Sequence, residues 1–228
     1  IVFIHPGYGA EQNGAWAGNE YIWSHDWSFN NNSNKRINYN INPFKIRHSG
    51  IPRIISIGNF VYSTLDAFGL SNLYDTDGTS KGAGYLSIMG SGKFGVNSSS
   101  PWLPTFATTY VRSKFSGFFT ANIIEINNTT ANLSLPPIST DDKSYKLTIP
   151  GNTNEYWLLD YKTAAGFDRK LPSDGIAIWH IVENVNNNNN EYPSNNRGES
   201  GYKMSLEASD GLFNLERKKI NGNNGGRS

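Results

Sequence analysis

From Gly117 onward the chain is a series of strand-length apolar runs separated by turns, at 123–126, 131–135, 145–149, 156–161, 175–182 and 202–206. Runs this short, bounded by Gly, Pro, Asn and Asp, bury themselves as strands, so the second half must build a sheet. The first half carries the clearest helical signal. Ile57, Phe60, Val61, Thr64, Leu65 and Phe68 recur at the three- and four-residue spacing of one buried stripe, and Gly69 suits the C-terminal end of a helix over 57–70. A second helix is expected over 104–115, although Thr108, Thr109 and Val111 weaken its propensity.

The 228 residues are 37% hydrophobic and 13% aromatic, enough to build a core and exclude a disordered chain. Twenty Lys and Arg against nineteen Asp and Glu leave a charge of +1 with no basic block. That balance gives no electrostatic footprint for nucleic acid or an acidic membrane. No window approaches the eighteen or so consecutive apolar residues of a membrane span. The absence of Cys removes disulfides, thiol nucleophiles and Cys-ligated metals, and leaves the redox compartment open.

Ile1-Val2-Phe3-Ile4 reads as a core strand entered midway, which makes the chain a piece of a longer polypeptide. Residues 30–42 read as polar surface with a short strand near 37–41. Thirty residues are Asn, and Asn-x-Ser/Thr triplets begin at Asn31, Asn97, Asn127, Asn128 and Asn132. These are candidate N-glycosylation sites. The Asn-rich run 186–196 reads as a low-complexity loop.

Several segments in order carry a resemblance: His5-Pro6-Gly7-Tyr8-Gly9 with Glu11, Ile22-Trp23-Ser24-His25-Asp26-Trp27, Gly69-Leu70-Ser71-Asn72-Leu73-Tyr74-Asp75, and Ser87-Ile88-Met89-Gly90-Ser91-Gly92. Further on come Glu155-Tyr156-Trp157-Leu158-Leu159, Gly166-Phe167-Asp168, Leu171-Pro172 and Gly175-Ile176-Ala177-Ile178-Trp179-His180. This ordered set, from about Ile4 to about Asp210, resembles the secreted zinc metallopeptidases of the immune inhibitor A type, whose catalytic domain is metzincin-like. The resemblance implies an H-E-x-x-H motif on the helix ahead of Gly69-Leu70, and its register puts those positions at Tyr62, Ser63 and Asp66. A further acidic family position falls on Asn72.

In such a motif two His one turn apart present nitrogens to Zn²⁺, and the Glu takes a proton from metal-bound water. A Tyr phenol stays protonated near neutral pH, one Asp supplies a single carboxylate, and Ser63 has no His beside it to activate it. No catalytic residue and no zinc are therefore expected; Tyr62, Ser63, Asp66 and Asn72 are degenerate positions. Tyr62 is expected to be mostly buried over the old cleft. Met89 occupies the family's Met-turn position, and core packing explains it equally well.

Other candidates carry bland explanations beside the sharp ones. Asp75 and Asp77, in Asp75-Thr76-Asp77-Gly78-Thr79, are spaced as a Ca²⁺ loop would be, and as an ordinary Asp-Gly turn would be. His5, His25, His48 and His180 lie too far apart in sequence to pair on one helical turn; His5 and His25 are expected to be hydrogen-bonding residues in aromatic surroundings, and His180 a structural residue at the end of a buried strand. Asp168, Asp174 and Glu183 add carboxylates in the second half. Trp16, Tyr39, Trp102 and Tyr192 are the aromatics expected at the surface.

The expected fold is α+β. A metzincin-like mixed sheet with the active-site-type helix over 1–116 continues into a β-rich subdomain over 117–228. The expected function is that of a catalytically inactive metallopeptidase-like module, structural or binding in role, in a secreted or cell-surface glycoprotein. Its partners would be other protein chains or further domains of the same polypeptide. An active zinc metallopeptidase with an atypical site, and a carbohydrate- or protein-binding module of a surface assembly, are the alternatives.

Overall fold

A computed structural model describes residues 1–10, 22–48, 50–76, 78, 80–96, 102–115, 117, 119–126, 132–188, 201–210 and 215. The fold is mixed α/β and mostly strand, with two mixed sheets and, among the described residues, two short α-helices. No helix among the described residues is long and apolar enough to cross a membrane. The chain divides into two compact units, Ile1–Leu70 and Ser71–Ser228. The change of texture at 116/117 falls inside the second.

In the first unit β1 (Val2–Tyr8), β2 (His25–Asn30), β3 (Arg36–His48) and β4 (Ile51–Ile54) form one sheet, and α1 (Ile57–Ala67) packs on β3 and β2. The long β3 is central: β1 runs parallel to it, while β2 and β4 pair antiparallel along its two halves. The segment read as polar surface is thus the spine of the sheet. Its turn is closed by Asn31, whose Oδ1 accepts from the amides of Ser33 (3.0 Å) and Lys35 (2.9 Å). β1 is an edge rather than a core strand, with Ile1, Val2, Phe3 and Ile4 all exposed.

The α1 C-terminus ends as its sequence predicts, three residues earlier than 70. Gly69 sits at φ +95°; its amide donates to Asp66 O (2.7 Å) and that of Leu70 to Leu65 O (3.1 Å). This is a Schellman motif, and its apolar pair, Leu65 and Leu70, is buried. The stripe is a correction. Ile57 and Phe68 are exposed, Phe60, Val61 and Thr64 half-buried, and the buried residues of the helix are Gly58, Ser63 and Leu65. Helical spacing located the helix and misassigned its inner face, because the strand beneath presents Asn side chains rather than an apolar row.

In the second unit β5 (Asn122–Ile126), β6 (Lys143–Ile149), β7 (Asn152–Lys162), β8 (Gly175–Val182) and β9 (Met204–Leu206) lie in sequence order. All neighbours are antiparallel except the parallel pair β5 and β6. The period of two is legible on β8, where Ala177, Trp179 and Ile181 are buried while Ile176 and Ile178 stay exposed. The expected helix over 104–115 shortens to α2 (Thr109–Ser113), capped by the Thr108 hydroxyl, which accepts from the Val111 amide at 3.4 Å. The β-branched residues noted in the sequence account for its shortness. Residues 132–135 are not strand.

Candidate functional site

Asn38, Asn40 and Asn42 alternate along β3, so they face one side of the sheet, toward α1. Asn38 Nδ2 donates to Ala67 O at 2.6 Å. From the helix, the Ser63 hydroxyl donates to Asn42 Oδ1 (3.2 Å), Asn42 Nδ2 to Asn40 Oδ1 (3.1 Å), and Asn40 Nδ2 to Thr64 Oγ1 (3.4 Å). Asn40, Asn42 and Ser63 are buried. A buried amide or hydroxyl without a partner costs about 1–3 kcal/mol, which makes this relay the specific connection between helix and sheet.

Ser63, one of the degenerate positions, is therefore turned inward and spent on β3. It does not lie on an open cleft side, as an apolar inner stripe would have required. Tyr62 and Asp66 are half-buried, and neither is without a partner. Tyr62 is mostly buried, as expected, without being fully enclosed. Among the described residues no three His, Asp or Glu side chains come together in a group that could hold a metal ion.

In the second unit, Asn72 is half-buried. The Asp75 side chain is buried, with Oδ1 accepting from the Gly78 amide (3.3 Å) and Oδ2 from the Ser80 amide (2.6 Å). The Asp-Gly turn uses both carboxylate oxygens on its own backbone. Asp77 lies outside the described residues. Met89 is fully buried, and its carbonyl accepts from the Leu73 amide at 3.0 Å. The turn around it is tight: Ser87 O accepts from the amides of both Gly90 and Gly92.

The carboxylates of the second half have separate partners. Asp168 is buried against Lys162 (3.0 Å) and accepts from the Phe106 amide (2.9 Å). Asp174 is exposed and accepts from the Ala164 amide. Glu183 accepts from Lys114 (2.7 Å) and Tyr156 (2.6 Å), with Lys203 at 3.7 Å. Partial burial works to raise the Glu183 carboxyl, but the bonds from Lys114 and Tyr156 and the charges of Lys114 and Lys203 outweigh it, so it stays below the usual range. Burial, reinforced by Glu183, pushes the Tyr110 and Tyr156 phenols up.

His180 is buried on β8, its Nε2 2.8 Å from Glu155 Oε1, and its ring stacks on Trp157 across the strands at 5.2 Å and 15°. Trp157 Nε1 donates to Glu207. His5 is half-buried in β1, His25 is exposed with Nδ1 2.8 Å from Trp23 O, and His48 ends β3.

Of the glycosylation candidates, Asn31 is half-buried in its turn, while Asn132 is exposed at φ +58°. Asn97, Asn127 and Asn128 lie outside the described residues, as do Trp16 and Tyr192. Trp102 is exposed and Tyr39 half-buried.

Two features escaped the sequence reading. On the sheet face away from α1, Tyr39 is the centre of an aromatic cluster with Phe3 (6.0 Å), His25 (5.8 Å) and Phe29 (6.0 Å). Trp27, opposite Tyr39 in the register, is 71% exposed. Strand alternation at 25, 27 and 29 was the available signal. The second feature is Asn188, inside the run read as a low-complexity loop. It is fully buried, donates to Met204 O (2.7 Å) and Leu73 O (3.1 Å), and accepts from the Met204 amide (3.1 Å), so its side-chain amide pairs with Met204 as a backbone amide would. Compared with protein-family models and with curated proteins, the chain matches none.

Proposed function

We propose that this chain is a non-catalytic, metallopeptidase-derived module with a metzincin-like first part, serving a structural or binding role in a secreted or surface-exposed protein. The observation that carries this reading is the bond from the Ser63 hydroxyl to Asn42 Oδ1. Ser63 stands where the resemblance puts the general base, and its only polar group helps fasten helix to sheet. Tyr62 and Asp66 at the two His positions add a phenol and one carboxylate, which is not the donor set of a zinc centre. A scaffold whose reactive positions have become packing positions is what a structural module retains.

The experiment is hydrolysis of casein and of fluorogenic peptides by the purified protein, with and without added Zn²⁺. The expected result is no turnover above that of a Ser63→Ala, Asp66→Ala double variant. Zn²⁺-dependent hydrolysis abolished in that variant favours the atypical-peptidase alternative instead.

A second reading, a carbohydrate- or protein-binding module, is favoured by Phe3, Trp27 and Phe29 around Tyr39. Large exposed rings on one face are the kind of surface that ligands stack on.

A further inference from the structure

β1 lies at one edge of the first sheet, and among the described residues no strand pairs with its outer side. Its bonds to β3 show which residues face outward. The Ile1 nitrogen donates to Asn38 O (2.8 Å) and Ile1 O accepts from the Asn40 amide (2.9 Å). The parallel register then continues as Val2↔Asn40, Phe3↔Ile41 and Ile4↔Asn42. In a parallel ladder, alternate residues turn both backbone groups to the same neighbour. Ile1 and Phe3 therefore turn theirs to β3, while Val2 and Ile4 present N–H and C=O at the open edge.

An open edge is ordinarily blunted by charge, by proline or by a covering element. From Ile1 to Ile4 none of these is present. No side chain of the run is charged, and α1 packs over β3 and β2. Ile1, Val2, Phe3 and Ile4 are 61%, 50%, 48% and 55% exposed, although they alternate between the two faces of the sheet. The first blunting residue is Pro6, the next outward position after Ile4, which has no N–H to offer.

This edge is complementary to itself. We propose that two copies of the chain pair through β1, edge to edge and antiparallel, about a two-fold axis that passes between their Phe3 residues. Val2 of each copy lies opposite Ile4 of the other and exchanges both backbone bonds with it. Phe3 meets its own copy at the non-hydrogen-bonded position, where Cα atoms are about 4.5 Å apart. Pro6 fixes this register, because moving the axis to Ile4 sets Val2 opposite Pro6 and leaves Val2 O without a donor. The side chains agree with the backbone. Phe3 already packs edge-on against Tyr39 at 6.0 Å, so the aromatic row continues across the axis with no like charges opposed. On the other face, Val2 and Ile4 of the two copies cover each other. Edges this short bury well under the ~800 Å² per partner of a standard interface, so the pair is transient, half-associated between about 10 μM and about 1 mM. The pairing uses residues of the first unit and is independent of the non-catalytic reading.

Amide hydrogen exchange of the whole chain at about 10 μM and about 1 mM is the first test. Protection at the Val2 and Ile4 amides should rise about tenfold or more with concentration, while that at Phe3, which faces β3 in either state, stays constant. Exchange that ignores concentration at all three overturns the proposal and leaves this edge to an extended segment of a different protein. The chain has no Cys, so a single introduced one reports the geometry. Under mild oxidation Phe3→Cys should run as a disulfide-linked dimer on a non-reducing gel, since its Cα separation is one that a disulfide spans. Val2→Cys should stay monomeric, because Val2 and its copy are offset by two residues, and so should Trp27→Cys on β2, at the far edge of the sheet. Equal cross-linking at the three positions, or the strongest at Trp27, overturns the proposal. Ile4→Pro removes an outward N–H and no bond to β3, and should abolish the concentration dependence at Val2. A wild-type rise in that variant overturns it as well.

Discussion

Ser63 and Asn42 are joined by a buried hydrogen bond of 3.2 Å, from a helix hydroxyl to the side-chain oxygen of a residue on the central strand. The bond begins a relay that continues through Asn40 to Thr64, so each partner depends on the next. Ser63→Ala leaves Asn42 Oδ1 buried without its donor. Chemical denaturation should show a loss of about 1–3 kcal/mol, and Asn42→Ala a loss at least as large, because two contacts go with it. The double variant should cost less than the sum of the singles, since the Ser63–Asn42 bond is counted in both.

Asn188 should be costly to replace. Its three bonds serve the Met204 amide and carbonyl and the Leu73 carbonyl. Asn188→Ala removes the side-chain partner of the Met204 amide and carbonyl, while the Leu73 carbonyl keeps the Ala83 amide (2.8 Å), and should lower stability by about 1–3 kcal/mol in urea denaturation. Exposed Asn186→Ala, two residues away, should be within about 0.5 kcal/mol of wild type.

The turn around Met89 depends on Gly92 having no side chain. A Cβ there would meet Ser87 O at 2.5 Å and Tyr85 O at 2.6 Å, with the Thr105 hydroxyl closer still. Two of these neighbours are backbone and cannot swing aside. Gly92→Ala should destabilise by roughly 2–3 kcal/mol, measured as a drop in melting temperature at unchanged secondary structure.

Glu183 sets the acid side of the stability profile. Its folded carboxyl lies below the ordinary range because the bonds from Lys114 and Tyr156 outweigh burial. Its contribution is thus present above the unfolded value of about 4.3 and is lost as pH falls through the lower folded value. A pH series of thermal unfolding should show a shallower decline below pH 5 for Glu183→Gln than for wild type. An identical slope would mean that Lys114 and Lys203 find other anions.

The sequence was legible where local physics decides. Gly69 marked the end of α1 because only a residue tolerant of positive φ closes a Schellman motif, and the alternation of β8 located a strand with Trp179 inside. It was misleading where one element's polarity is set by another. The α1 stripe was read as apolar-in, but β3 offers Asn40 and Asn42 to the helix, so Ser63 goes in and Phe68 stays out. The same inversion leaves Phe3, Trp27 and Phe29 on the far face of that sheet. Asn188 was hidden by its neighbours, since five identical letters in a row do not reveal that this one is clamped. The replaced positions Tyr62, Ser63 and Asp66 were readable as residue types, whereas what Ser63 does required the strand beneath it.

The most direct measurement of the account is the metal content of protein purified after expression with ample zinc and without chelators. No stoichiometric zinc is the expected result, with Ser63→Ala losing stability and no metal. One zinc per chain, lost together on Tyr62→Phe and Asp66→Asn exchange, would contradict the proposal that α1 has become a packing element of a non-catalytic module.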